Sequence, residues 1–220
     1  MQVRLDKRAR IIADGGQAYP VDLLRDHTLV QVRQKYTDDT GELTLAPGEE
    51  TTDEVTVGGR VVFVRNTGKL CFASLQDGFT ETSNGERLQI MLSKAEVGDE
   101  SLAAWKSDVD LGDHVWVRGR VVVSRRGELS IMAAEWRLAS KALRPLPTLH
   151  KELSEETRVR RRYADLVVRE ESRQMVRTRA VITRAVRRAL DERGFLEIET
   201  PILQLVHGGA AARPSVSYTH

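Results

Sequence analysis

Short runs of alternating apolar and polar residues fill the middle of the chain. Alternation with a period of two is typical of strands that bury one face. The apolar members of these runs are Val55, Val57, Val61, Phe63, Leu70, Phe72, Leu88, Ile90, Leu92, Val115, Val117, Val121, Val123, Leu129 and Ile131. Residues 95–106 have a helical pattern instead. The sequence therefore predicts five strands, with a helix between the third and the fourth.

That order of elements is the arrangement of an OB-fold, a small barrel that binds oligonucleotides on the face of its second and third strands. Helical patterns flank it. Residues 1–19 predict a short amphipathic helix, and residues 152–168 and 170–193 predict two more. The last helix ends at Gly194, because glycine readily adopts the left-handed conformation that ends a helix. Residues 195–199 alternate apolar with acidic side chains and predict a half-buried strand.

The chain divides into three parts on these patterns. Residues 1–54 form an N-terminal helix and a connector, residues 55–147 form the barrel, and residues 148–220 begin a second domain. Pro145 and Pro147 mark the boundary, since two closely spaced prolines favour an extended linker. The predicted fold class is a β barrel plus α. A five-stranded OB-fold is followed by helices and by the first strand of an incomplete α+β domain.

Composition limits the function classes. Of the 220 residues, 40% are hydrophobic and 30% charged, and no apolar run approaches the roughly 20 residues that cross a bilayer. We expect no membrane association and a cytoplasmic protein, because the single cysteine, Cys71, excludes an internal disulfide. No metal site is predicted, since no Cys-x-x-Cys pair occurs and the histidines are scattered. They are His27, His114, His150, His207 and His220.

Charge is distributed unevenly along the chain. Residues 1–150 hold 20 basic and 22 acidic residues, whereas residues 151–220 hold 14 and 10. The second part is rich in arginine and helical in pattern, so its side chains are candidates for contacts with phosphates. The alternative is a solvated helix face with intrahelical ion pairs, and spacing alone does not separate the two interpretations.

The end of the basic helix resembles the first signature motif of class II aminoacyl-tRNA synthetases, with Arg193, Gly194, Phe195 and Pro201 at its motif positions. The run Gly208-Gly209-Ala210-Ala211-Ala212-Arg213-Pro214 is similar to that of lysyl-tRNA synthetases, and the match ends there. In this family the motif helix and strand form much of a two-fold dimer contact. The resemblance thus implies a homodimer interface at Gly194, Phe195 and Pro201.

Residues 55–147 resemble the anticodon-binding domain of lysyl- and aspartyl-type synthetases. The resemblance implies that Phe72 stacks on the central anticodon base, a uridine, and that Arg65, Gln89 and Glu128 bind its edge. Judged from spacing alone, a phenylalanine at the position of Phe72 is more often a core residue than a stacking platform, and the three polar residues are typical of an ordinary surface or turn. A stretch between Asp77 and Arg87 is longer than in many relatives, and we interpret it as an insertion without a role.

Gly208 and Gly209 are implied to bring backbone close to a bound lysine, because glycine has no Cβ to block a ligand. An ordinary flexible loop is the alternative. The family joins lysine to tRNA(Lys) with ATP and Mg²⁺, but its Phe-Arg-x-Glu and Gly-rich ATP segments do not occur in this sequence. We therefore expect no catalytic residue here and no productive binding of ATP or Mg²⁺.

The chain is interpreted as a truncated lysyl-tRNA synthetase relative. Two alternatives stay open at this point. One is a non-catalytic tRNA-binding module or regulator derived from such an enzyme. The other is the cytoplasmic part of a fused lysyl-lipid synthetase, which no apolar span in the sequence supports.

Overall fold

Five strands form a closed barrel in the computed structural model. The structure describes residues 1–78, 85–147 and 153–200. The neighbours around the barrel follow the order β1-β2-β3-β5-β4, and only the β3–β5 pair is parallel. The strands are β1 (Glu50–Thr67), β2 (Leu70–Gln76), β3 (Arg87–Ser93), β4 (His114–Val123) and β5 (Leu129–Ser140). The predicted five-stranded OB-fold is confirmed.

Strand β1 is longer than the sequence pattern indicates, because two predicted runs form one strand of 18 residues that begins inside the predicted connector. Its first half pairs with β4 and its second half with β2. At the change of partner, Arg60 lies opposite both His114 and Gln76. One strand that pairs on both sides in this way closes the barrel.

The core fills the barrel with alternate side chains from every strand. Val57, Leu75, Ile90, Val117 and Ile131 are all completely buried. Val57, Ile90, Val117 and Ile131 belong to the predicted alternating runs, so the period-two pattern identified the buried face of their strands correctly. In β2 the prediction is wrong, because Leu70 and Phe72 were expected on the buried face, whereas Cys71, Ala73 and Leu75 are buried instead.

Four helices pack around the barrel. Helix α1 (Gln2–Ala13) lies within the predicted N-terminal helix, while α3 (Lys94–Val97) and α4 (Asp99–Asp108) fill the predicted helical stretch after β3. Helix α2 (Leu29–Lys35) lies in the region interpreted as connector. It begins with a capping box between Thr28 and Gln31.

A buried ionic cluster joins α1 to the barrel. Lys141, at the end of β5, donates to the Asp110 and Asp113 carboxylates at 2.6 and 2.7 Å. Lys7 of α1 also contacts Asp110, at 2.8 Å. The remaining oxygen of Asp113 accepts from the Ala142 N–H. The N-terminal helix is thus fixed to the base of the barrel through charged groups.

Three helices follow the barrel: α5 (Glu155–Arg160), α6 (Arg162–Val168) and α7 (Glu170–Asp191). The fully buried Asp165 links α6 to the start of α7, because it accepts from Ser172 and Arg169. By contact density the chain forms two compact units, residues 1–175 and 176–220. The first unit therefore contains the barrel, α5, α6 and the first turns of α7.

The second unit is described up to residue 200. Helix α7 ends at Asp191, and Gly194, predicted as its left-handed stop, has a φ of 81° in the turn that follows. The predicted strand at 195–199 is wrong for this chain, since no strand is assigned to residues 195–200. A strand needs a hydrogen-bonded neighbour, and none of the described residues pairs with this segment. Glu197 instead forms an ion pair with Arg187 at 2.9 Å.

Candidate nucleic-acid interface

Phe72 lies on the outer side of the barrel. In β2 the residues Cys71, Ala73 and Leu75 point inward and are buried, whereas Phe72 and Ser74 alternate with them and are half-buried. The interpretation of Phe72 as a core residue is therefore wrong. An outward aromatic ring on the second strand of an OB-fold is in the right place to stack on a base.

Arg65 lies directly opposite Phe72 on the neighbouring strand β1. Its guanidinium carbon is 4.7 Å from the centroid of the Phe72 ring. This cation–π contact holds an exposed positive charge over the aromatic ring. Among the described residues the Arg65 side chain has no hydrogen-bond partner, so its N–H donors are available to a ligand that binds at Phe72.

Gln89 belongs to the same outer face, on β3. It lies opposite Ser74 and is diagonal to Phe72. Its amide nitrogen donates to the Ser130 hydroxyl at 2.8 Å, and that hydroxyl donates to the Glu128 backbone carbonyl at 2.9 Å. Ser130 therefore fixes the orientation of the Gln89 amide, so the Gln89 oxygen is available as an acceptor.

Glu128 occupies the hairpin that leads into β5. Its N–H donates to the Ser124 hydroxyl, and its side chain is exposed. The parallel pairing of Gln89 with Ser130 brings this hairpin beside the first residues of β3. The structure thus gathers Arg65, Phe72 and Gln89 on one face and places Glu128 at its margin.

Two features of this face were missed by the sequence reasoning. Phe63, counted there as a core position, is 51% exposed and lies on the outer side. Ser130, which orients Gln89, gave no signal of its own in the sequence. A signal for Phe63 existed in the consecutive apolar pair Val61-Val62, because two adjacent apolar residues break a strict alternation and are compatible with a bulge.

A cavity of about 480 Å³ lies elsewhere on the first unit, where β1, β2 and β4 approach α6. His114 and Arg60 line it side by side. Burial and the neighbouring Arg60 charge lower the pKa of His114 to about 4, and burial also lowers the pKa of Arg60. His114 is therefore neutral at physiological pH. No group of metal-binding side chains occurs among the described residues.

The other predicted site residues lie in the second unit. Phe195 is 62% exposed next to Gly194. Helix α7 exposes an apolar stripe that includes Ile182, Val186 and Leu190, so these side chains are not core residues in this chain. Pro201, Gly208 and Gly209 fall outside the described residues. In the part of the chain that is described, no helix is long and apolar enough to span a bilayer.

Comparison with known proteins identifies both parts of the chain. Residues 55–139 match the family described as OB-fold nucleic acid binding domain, and residues 154–218 match the family of class II tRNA synthetases (D, K and N). The lysine–tRNA ligase of Kineococcus radiotolerans is 59% identical over 217 residues, which is 99% of this chain and 41% of that protein.

The lysine–tRNA ligase of Mycolicibacterium gilvum is 56% identical over 219 residues, or 42% of its length. A lysylphosphatidylglycerol biosynthesis bifunctional protein of Rhodococcus jostii is 39% identical, but the match spans only 18% of it. The chain thus spans about two fifths of the length of the ligases it matches. It belongs to the lysyl-tRNA synthetase family, within the class II tRNA synthetases, and contains the OB-fold domain and part of the synthetase domain.

Proposed function

We propose that the barrel binds the anticodon loop of tRNA(Lys) and recognises the central uridine of the anticodon. The observation that supports this most directly is the outward Phe72 ring with the Arg65 guanidinium over it at 4.7 Å. Single-stranded bases bind proteins by stacking on aromatic rings while polar side chains contact their edges. Arg65 supplies donors, and Gln89, held by Ser130, supplies an acceptor.

Uridine suits this donor and acceptor set. Its edge presents two carbonyl acceptors and one N–H donor, so an arginine can donate to a carbonyl while the Gln89 oxygen accepts from the ring nitrogen. Cytidine presents an amino donor and an unprotonated ring nitrogen at the corresponding positions. The Gln89 oxygen would then face a second acceptor, and an unsatisfied polar pair of this kind costs binding free energy. Glu128 is proposed to contact the base or its neighbour from the margin of the face.

The parent activity is proposed to be the ATP-dependent joining of lysine to tRNA(Lys). In the complete family enzyme this reaction uses ATP and Mg²⁺. The side chains that would hold ATP are not found in this sequence, so we assign no catalytic residue to the chain and derive no reaction step through ATP. Gly208 and Gly209 are proposed to bring backbone near the lysine substrate. We further propose that the protein acts in the cytoplasm.

The helix and segment around Gly194, Phe195 and Pro201 are proposed to contribute to a homodimer contact. The exposed side chains of Ile182 and Val186 and the 62% exposed ring of Phe195 support this proposal. Apolar surface of that extent normally marks an interaction site.

The proposed anticodon recognition is tested by binding of the 220-residue chain to two stem-loop RNAs that differ only in a central uridine or cytidine. We expect tighter binding of the uridine loop. Phe72→Ala should weaken binding of the uridine loop by about 1–3 kcal/mol. Phe72→Leu keeps an apolar side chain without the ring, so it separates the loss of stacking from a loss of packing. Equal affinity for both loops, by protein that melts cooperatively, would refute the specificity.

A Gln89→Met variant tests the reading of base identity. Methionine keeps the length of the side chain but removes the amide oxygen that is proposed to accept from the uridine N–H, together with the donor to Ser130. We expect weaker binding of the uridine loop and a smaller preference for uridine over cytidine, with little change in thermal stability. If the preference stays unchanged, Gln89 does not read the base.

A further inference from the structure

We propose that Phe63 is a second stacking platform for RNA and binds the base of a nucleotide adjacent to the one on Phe72. This inference rests on the proposed anticodon-binding function and extends it to a second base. Proteins that bind single strands on a sheet commonly stack two or three bases on separate aromatic side chains.

A break in the strand pairing turns Phe63 outward. Val61 pairs with Leu75 and Phe63 pairs with Ser74, so Val62 is an extra residue in β1. Val61 and Val62 are both buried, although they are consecutive. Without the extra residue, Phe63 would share the inward side of Val61. Bulges of this kind redirect a side chain and occur next to functional sites.

The position of Phe63 is continuous with the proposed base site. It lies opposite Ser74, whose other neighbour is Gln89, so Phe63, Ser74 and Gln89 form one row across three strands. The adjacent row holds Arg65 and Phe72. Diagonal neighbours in antiparallel strands are about 7–8 Å apart. Two separate rings therefore lie on one face, with only the small Ser74 side chain between Phe63 and Gln89.

Charge on this face suits a negatively charged partner such as RNA. The outward positions around the two rings on β1, β2 and β3 carry Arg65, Ser74, Gln89, Met91 and Arg87, none of which is acidic, and Glu128 lies at the margin. Both arginines are exposed, so they can contact the phosphates on either side of stacked bases. A strand of RNA that crosses from Phe72 to Phe63 would keep its phosphates near these two side chains.

The test compares the affinities of Phe63→Ala and the unaltered 220-residue chain for the uridine stem-loop. Two further RNAs lack the base of the nucleotide immediately before or after the central uridine. We expect Phe63→Ala to weaken binding of the intact RNA by about 5- to 150-fold. With one of the two abasic RNAs, the variant and the unaltered protein should bind equally, because the stacked base is already absent.

Two variants control for folding and for loss of any exposed aromatic ring. Phe63→Leu keeps an apolar side chain without a ring, and we expect it to melt like the unaltered protein but to bind like Phe63→Ala. Tyr163→Ala removes another exposed aromatic ring, on α6, and should bind as the unaltered protein does.

Unchanged affinity of Phe63→Ala and Phe63→Leu overturns the inference. So does a loss of the same factor for the intact RNA and for both abasic RNAs, because the ring would then contact something other than a neighbouring base. Phe72→Ala separates the two proposals. If it weakens binding while Phe63→Ala does not, only the second platform fails; if neither variant weakens binding, the anticodon proposal itself fails.

Discussion

The ammonium nitrogen of Lys141 lies 2.7 Å from Oδ2 of Asp113, and both side chains are completely buried. The same ammonium donates to the Asp108 carbonyl and to Asp110. All three ammonium donors are therefore used. A fully bonded buried pair of this kind is costly to break, because the remaining charge has no solvent to stabilise it.

We predict that Lys141→Met destabilises the first unit by about 3–5 kcal/mol, because Asp113 would remain buried with its backbone donors alone. Urea unfolding followed by circular dichroism measures the loss. Lys69→Met, at an exposed lysine of the β1–β2 turn, is the matched control and should have little effect. Equal stability of Lys141→Met and the unaltered protein would contradict the role assigned to the pair.

His114 predicts a pH dependence of stability. Its pKa in the folded state is about 4, below the ordinary value of 6.5. Between these values the unfolded chain binds a proton that the folded chain does not. The contribution of the neutral imidazole is thus complete above pH 6.5 and is lost as the pH falls toward 4.

The measurement compares unfolding free energies at pH 7 and pH 5 for the unaltered protein and for His114→Gln. We expect the unaltered protein to lose about 1–2 kcal/mol more than the variant between these pH values. Identical pH profiles would show that folding leaves the pKa of His114 unchanged.

Gly119 predicts a steric requirement at the pairing of β4 with β5. A Cβ at this position would contact the Met132 carbonyl oxygen and lie 2.8 Å from the Ala133 Cα, both on the β5 backbone. Backbone cannot move aside as a flexible side chain can. Gly119→Ala should therefore destabilise the barrel by about 1–3 kcal/mol.

Gly58→Ala is the matched control for Gly119→Ala. Gly58 lies on β1, and a Cβ there would approach the Val115 carbonyl oxygen only to 3.7 Å, an ordinary contact. Thermal melts of the two variants should differ clearly. A melting temperature of Gly119→Ala equal to that of Gly58→Ala would show that the two strands separate without cost.

The exposed stripe on α7 predicts self-association. Ile182 and Val186 are both more than half exposed and lie one helical turn apart. We expect dimers or larger species in analytical ultracentrifugation, and we expect Ile182→Glu combined with Val186→Glu to shift the protein toward monomer. A monomeric unaltered chain whose residues 151–220 resist protease would contradict this prediction.

Catalysis by the 220-residue chain is predicted to be undetectable. Adenylate formation depends on charged groups that stabilise the transferring phosphate, and these usually supply the largest part of the rate. The sequence lacks the arginine and carboxylate segments that the family uses for this purpose. Adenylate formation is measured as lysine-dependent ATP–pyrophosphate exchange. Exchange that disappears on Gly209→Ala would mean that the chain completes a lysine pocket in another way.

The barrel was predictable because its strands bury one face, and burial of one face imposes a period of two on the sequence. Phe63 was misassigned because one extra residue, Val62, reverses every later side chain of β1. Helix α2 was missed although Thr28 and Gln31 carry the capping-box signal. That helix has only seven residues, which is too short for a clear apolar period.

The strand predicted at 195–199 failed for a different reason. The pattern of Phe195, Leu196 and Ile198 with acidic residues indicates that one side of the segment is apolar and the other polar. It does not indicate which strand the segment would pair with. Hydrogen-bonded pairing depends on residues distant in sequence. The face of Arg65, Phe72 and Gln89 was found only through the family resemblance, because each of the three residues is unremarkable alone.

Strand β2, which carries Phe72, has no free edge. All of its residues, Leu70–Gln76, pair with β1 on one side and with β3 on the other, so β2 offers no row of unpaired backbone groups to recruit another chain. A ligand at Phe72 must therefore be held by side chains, and a single substitution on that surface can abolish binding without disturbing the fold.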